Sequence, residues 1–150
     1  MRISFDKVFF VDTGITSATL SNASHFMELR HLIGGDITIT FGDHSDTYDE
    51  ACVSDFAVTM AEAIVGYLTA PKPQIRFFSP DFHDAYIIRV TEEVGGSCEV
   101  YLGNELICDN MPLFAILEGA RIFVSQVRPL LQDRYGHIEH FWDVYLISVF

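Results

Sequence analysis

Histidines and aspartates are the residues of this chain with the clearest capacity for chemistry, and they cluster in three stretches. The first is GDHSDTYDE (42–50), the second is SPDFHDAY (79–86) and the third is GHIEHFW (136–142). Imidazole and carboxylate groups in such stretches could bind a metal ion, transfer a proton, or present charge to a partner. The candidate residues of the three stretches are Asp43, His44, Asp46, Asp81, His83, Asp84, His137 and His140.

Metal binding is the first of these chemistries, and the spacing of the candidates argues against it. His137-x-x-His140 places the two rings on opposite faces of a strand, and the zinc motif H-E-x-x-H is absent. A calcium loop counted from Asp43 would need glycine at its sixth position, where this chain has Tyr48. We therefore expect no metal and no other cofactor.

Catalytic motifs are also missing from the sequence. There is no G-x-S-x-G elbow, no Walker loop and no G-x-G-x-x-G. Cys52, Cys98 and Cys108 each lie within an apolar pattern, which is typical of small buried side chains. Asp81-x-His83-Asp84 could orient a histidine as a base, but no nucleophile accompanies it. The sequence favours a protein that is not an enzyme.

Charge narrows the choice of partner. The 150 residues include 21 acidic and nine basic ones, for a net charge of −12. Nucleic acids and anionic membranes require a cationic surface that this chain lacks. A basic protein is the partner that such a field would attract. The N-terminus has no signal-peptide pattern and no apolar run is long enough to span a bilayer, so we expect a single cytoplasmic domain over 1–150.

Two segments have helical periodicity, at about 48–68 and about 111–134. Thr47 and Glu50 have the spacing of a capping box for the first helix. Asn110 and Pro112 suit the start of the second, and Pro129 is expected to kink or break its end.

The remaining apolar segments alternate as strands do, which predicts an α+β fold. We expect a largely antiparallel sheet of about eight or nine strands with the two helices on one face, and a sheet of that size should curl or split into two. Hairpin turns are predicted at Gly34-Gly35, Gly95-Gly96 and Gly103-Asn104. IGGDITITFGD (33–43) also resembles VGGSCEVYLGN (94–104), which indicates a β4α-β4α-β pseudo-repeat ending in a strand from about 141.

If every short connection reverses the chain, the three histidine- and aspartate-containing stretches meet at one end of the sheet. The glycine pairs 34–35 and 95–96 would then lie at the opposite end. We call the eight candidates named above the acidic rim, and we predict that they bind a protein partner.

Size, acidity and α+β organisation, over the whole chain, resemble the immunity proteins of bacterial toxin–immunity pairs, including contact-dependent inhibition systems. The resemblance implies an inhibitor that binds and blocks one cognate toxin domain, here a basic one. Two alternatives stay open: a small enzyme or metal-binding protein that uses the rim, and a structural subunit, such as a homodimer, that assembles through its C-terminal strand.

Overall fold

The computed structural model describes residues 1–11, 31–70, 72–91 and 96–135. Within these ranges the chain forms seven strands and two helices. In chain order they are β1 (Arg2–Phe10), β2 (Ile33–Phe41), β3 (His44–Cys52), α1 (Val53–Thr69), β4 (Gln74–Phe78), β5 (Ala85–Val90), β6 (Ser97–Leu102), β7 (Glu105–Pro112) and α2 (Leu113–Tyr135).

The strands form two antiparallel sheets, ordered β1-β2-β3 and β4-β5-β6-β7. The predicted α+β class with two helices is confirmed. The described residues contain seven strands, so the predicted count of eight or nine is not confirmed, and these strands form two sheets, as expected if a large sheet splits. The strand predicted from about 141 lies outside the described residues.

A connected series of aromatic rings joins both sheets to both helices. Successive ring centroids lie between 5.1 and 6.0 Å apart, within the usual range for aromatic pairs. The series runs Phe5, Phe123, Phe56, Phe77, Tyr86 and Phe41. Because its members come from β1, α2, α1, β4, β5 and β2, one core stabilises the two sheets together.

The first helix begins later than the sequence predicts. Residues 44–52 form β3, so Thr47 and Glu50 are strand residues and the predicted capping box is wrong. Gly42, with a φ of +57°, permits the tight turn that starts this hairpin. Hydroxyl pairs across the strands then stabilise it: the side-chain oxygens of Thr38 and Thr47 are 3.0 Å apart. Cross-strand pairing therefore outweighs the local capping preference.

The second helix shows the same kind of error. Asn110 and Pro112 belong to β7, and α2 starts at Leu113. The Asn110 side chain accepts a hydrogen bond from the Ser97 hydroxyl at 2.8 Å instead of capping the helix. Pro129 lies inside α2, which continues to Tyr135, so a break at the proline is wrong.

The glycines divide into turn glycines and packing glycines. Gly103-Asn104 forms the predicted hairpin turn, with Gly103 at a φ of +58°. Gly34-Gly35 does not form a turn: both lie within β2, and a Cβ on Gly34 would collide with the Phe9 ring. Glycine is needed there because an aromatic ring from β1 covers the backbone. The Gly95-Gly96 turn lies partly outside the described residues.

Two hairpin–helix units do share a plan. In β2-β3-α1 and in β6-β7-α2, a positive-φ glycine turn precedes a strand that leads directly into a helix. The sheets have three and four strands, so the full β4α-β4α-β pattern stays a prediction.

Candidate acidic binding site

Strand β3 directs polar side chains toward the core. His44, Asp46 and Tyr48 lie on the inner face of their sheet, although β3 is at its edge among the described strands. This follows from the register, because directly opposed residues share a face. Their partners on β2 are the fully buried side chains Phe41, Ile39 and Ile37. An edge strand with inward polar groups resists pairing with other strands.

These inward groups form a hydrogen-bonded network with Tyr86 of β5. His44 Nε2 lies 2.7 Å from Asp46 Oδ2, and the Tyr86 hydroxyl donates to the same oxygen at 3.1 Å. The Tyr48 and Tyr86 hydroxyl oxygens are 2.6 Å apart. An ionised carboxylate only accepts, so His44 carries a proton on Nε2 and Tyr48 donates to Tyr86. The network joins the two sheets at the margin of the core.

Burial determines the protonation of the two tyrosines. Desolvation is the largest influence on Tyr86 and raises its pKa far above the ordinary value, with Tyr48 and Asp46 adding to the effect. Desolvation also raises the pKa of Tyr48, and the charges of Asp46, Asp81 and Asp84 contribute. Both hydroxyls therefore stay protonated and act as donors.

The loop between β4 and β5 is held by its own hydrogen bonds. The buried Ser79 hydroxyl donates to Asp81 Oδ1 at 2.5 Å, and the His83 N–H donates to the same oxygen at 3.1 Å. The Asp84 N–H donates to the Ser79 hydroxyl at 3.2 Å. Burial alone would raise the pKa of Asp81, but these hydrogen bonds outweigh it and the pKa is lowered.

The same loop presents Phe82 to solvent. Its side chain is 62% exposed, and its backbone has a φ of +61°, a conformation uncommon for a residue with a large side chain. Exposed aromatic rings on a loop that is ordered by hydrogen bonds are typical anchors in protein interfaces.

A groove of about 350 Å³ separates this loop from β3. Its lining combines three carboxylates with two aromatic rings and smaller side chains. The lining residues are Thr47, Tyr48, Asp49, Glu50, Ala51, Cys52, Pro80, Asp81 and Phe82. Such a lining suits the charged end and the apolar stem of a lysine or arginine side chain.

The position of this groove corrects the predicted topology. Asp81 lines it together with Ala51 and Cys52, and these two residues pair with Gly35 and Gly34. The predicted separation of that glycine pair from Asp81 is therefore wrong. Strand β3 replaces the expected start of a helix and changes the direction of the chain after Gly42.

The structure brings together part of the acidic rim. His44 and Asp46 share one hydrogen bond, and the charges of Asp46, Asp81 and Asp84 all act to raise the pKa of Tyr48. Asp43 and His83 are exposed at the turn and the loop. His137 and His140 lie outside the described residues.

Sequence reasoning missed Tyr48, Phe82 and Tyr86 as members of the site. The alternation of His44, Asp46 and Tyr48 with Ser45 and Thr47 has the period of a strand and could have indicated a polar edge. Phe82 and Tyr86 have no such local pattern, because only the tertiary fold places them beside β3.

Catalytic geometry is weak among these groups. Asp81 binds the backbone N–H of His83 and not its ring. Cys52 Sγ lies 3.9 Å from His31 Nδ1, but desolvation raises the pKa of this thiol, which disfavours the reactive thiolate. Within the described ranges, no group of three or more His, Cys, Asp or Glu side chains is placed to hold a metal ion.

Comparison with known proteins adds no relative. No protein-family model matches the chain, and neither a curated protein nor a solved structure is significantly similar to it.

In the part of the chain that the structure describes, no helix is long and apolar enough to cross a membrane.

Proposed function

We propose that this protein is an acidic binding module that inhibits a basic partner, a toxin domain, by covering its active site or substrate surface. The observation that carries the proposal is the groove between β3 and the loop 79–84, where Asp49, Glu50 and Asp81 accompany the exposed ring of Phe82. The net charge of −12 supports a basic partner, because charge complementarity accelerates association.

The mode of binding follows from the chemistry of the groove. A lysine or arginine of the partner would place its charge beside the carboxylates and its methylene groups against Tyr48 and Phe82. The hydrogen bonds within the loop fix Asp81 before the partner arrives, which lowers the entropic cost of binding. The described rim residues Asp43, His44, Asp46, His83 and Asp84 would extend the contact beyond the groove, and His137 and His140 stay predicted partner-binding residues.

Inhibition of a toxin is the part of the proposal that rests on the resemblance in size, acidity and organisation to immunity proteins. An immunity protein meets its toxin in the compartment where the toxin acts, so we place this chain in the bacterial cytoplasm. The proposal requires neither a cofactor nor a reaction.

The test begins with the protein encoded by the neighbouring gene, co-expressed and co-purified with this chain. Its affinity is then measured by calorimetry at several salt concentrations. Asp49→Lys with Glu50→Lys reverses two exposed carboxylates that line the groove. Asp6→Lys with Asp133→Lys is the control, because it alters net charge equally at exposed positions outside the groove.

We expect the first pair to weaken binding and to flatten its dependence on salt, while the control pair changes both much less. Individual close charge pairs can couple by about 1.5–7 kcal/mol. Equal effects of the two pairs would mean that only net charge matters and would overturn the proposed site. Absence of any complex with the neighbouring protein would leave the toxin-inhibitor assignment without support.

A further inference from the structure

The outer face of the four-stranded sheet carries a row of side chains that crosses all four strands. Register places Arg76 of β4 opposite Ile87 of β5, Ile87 opposite Tyr101 of β6, and Tyr101 opposite Leu106 of β7. Their neighbours along each strand, such as Phe77 and Ile88, point to the buried face. The row therefore lies on the side away from the helices.

Apolar surface on this face is open to solvent. Phe78 is 52% exposed and Leu106 is 47% exposed, at opposite edges of the sheet. Ile87 and Tyr101 lie partly buried between them. Aromatic residues, arginine and exposed aliphatic side chains together are the composition of an interface centre and not of an ordinary surface.

Two arginines lie over aromatic rings on the same face. The Arg89 guanidinium lies 4.8 Å from the centroid of Tyr101, and that of Arg76 lies 5.9 Å from the centroid of Phe78. The Tyr101 hydroxyl donates to Glu99 at 2.8 Å. These contacts restrict long side chains in advance, so their ordering costs less when a partner binds.

Charge is distributed unevenly across the sheet. Strands β4 and β5 contribute the cations Arg76 and Arg89, whereas all charged residues of β6 and β7 are acidic. The sheet order β4-β5-β6-β7 therefore gives one cationic half and one acidic half. A two-fold axis that lies between two such faces and runs parallel to the strands would place the cationic half of one copy over the acidic half of the other.

We propose that this face is a self-association surface, on which a second copy of the chain packs sheet to sheet about a two-fold axis. The occupant is a second copy because a face with one cationic half and one acidic half is complementary to itself, and these local pairs act against the repulsion between two chains that each carry −12. Stacked sheets lie about 10 Å apart, which lets the Phe78, Ile87, Tyr101 and Leu106 side chains of the two copies interdigitate. The surface is distinct from the groove beside β3.

The experiment is sedimentation velocity of the full chain from micromolar to millimolar concentrations. Arg76→Glu with Arg89→Glu makes the face acidic, and Glu99→Lys with Leu106→Lys makes it cationic. Arg2→Glu with Arg128→Glu is the control for the first pair, because it changes the net charge equally at positions off this face. Circular dichroism melting verifies that every variant is folded.

We expect the wild-type chain and the control to form dimers as concentration rises, and each face variant alone to sediment as a monomer. An equimolar mixture of the two face variants should restore a dimer, since each cationic half then meets an acidic one. A wild-type chain that stays monomeric throughout would overturn the proposal. Dimers that persist in both face variants would do so as well, because the interface would then lie elsewhere.

Discussion

The two antiparallel sheets of this chain differ in which faces carry polar side chains and which carry apolar ones. In β1-β2-β3 the outer face carries hydroxyl pairs such as Thr40 and Ser45, and the edge strand β3 turns polar groups toward the core margin. In β4-β5-β6-β7 the outer face carries arginine and aromatic side chains, and the inner face is apolar apart from the Tyr86 hydroxyl. One sheet therefore exposes a polar edge, whereas the other exposes a face of arginine, aromatic and aliphatic side chains.

The two helices differ in the space around their glycines. Each contains one glycine, but the surroundings differ: a Cβ on Gly119 would collide with the Met1 carbonyl oxygen, whereas a Cβ on Gly66 would meet nothing within 4 Å. Gly119 allows close approach of β1 to α2, and Gly66 only lowers helix propensity.

Gly119→Ala should produce the largest change in stability. The added methyl group must displace the first residue of the chain, and overpacking of this kind costs about 1–3 kcal/mol. Urea unfolding of the two proteins measures the difference. An unchanged free energy of unfolding would show that the contact between Met1 and α2 is readily released.

Tyr86→Phe should have the next largest effect. It removes the donor to Asp46 and the acceptor for Tyr48 while keeping the buried ring, and leaving such groups unsatisfied costs about 1–3 kcal/mol. Tyr101→Phe on the outer face of the same sheet is the control and should leave the melting temperature unchanged, because its hydroxyl is at the surface. If the two substitutions lowered the melting temperature equally, the Tyr86 hydroxyl would stabilise the fold no more than a surface hydroxyl does.

Gly66→Ala should stabilise the chain by about 0.5–1 kcal/mol, because alanine favours the helix and the site has room for its methyl group. The same urea measurement that tests Gly119→Ala tests this change. Opposite signs at Gly66 and Gly119 are the expected result, and a destabilised Gly66→Ala variant would contradict the open surroundings of that position.

Asp81→Asn should have a small, pH-dependent effect. The pKa of Asp81 is lowered in the folded chain, so ionised Asp81 stabilises the fold above the ordinary carboxyl range. That contribution disappears as the pH falls through the lowered folded pKa. Melting temperatures should therefore differ between wild type and Asp81→Asn at about pH 7 and converge at about pH 2. A constant difference across this range would show that ionisation of Asp81 does not stabilise the loop.

Sequence patterns predicted the helices, most strands and the Gly103-Asn104 turn, because those depend on local periodicity and on positive φ. The predictions were wrong where a tertiary contact determines the local conformation. Thr47 and Glu50 satisfy the local pattern of a helix cap, yet pairing with β2 makes them strand residues. Gly34 has the composition of a turn, but the Phe9 ring above it explains the glycine.

For the candidate site, the sequence indicated the acidic segments but not how they come together. The clustering of Asp43, His44 and Asp46 in one stretch, and of Asp81, His83 and Asp84 in another, indicated two acidic segments. Their meeting along β3, and the participation of Tyr86 from a different sheet, depend on long-range packing that no local pattern contains.

Amide hydrogen exchange of the chain, with and without its co-purified basic partner, tests the proposed function most directly. We predict slower exchange confined to residues 43–52 and 79–86, with little change in β6 and β7. Protection over β4–β7 with unchanged exchange along β3 and the 79–84 loop would contradict the account, because the partner would then bind the arginine–aromatic face and not the acidic groove.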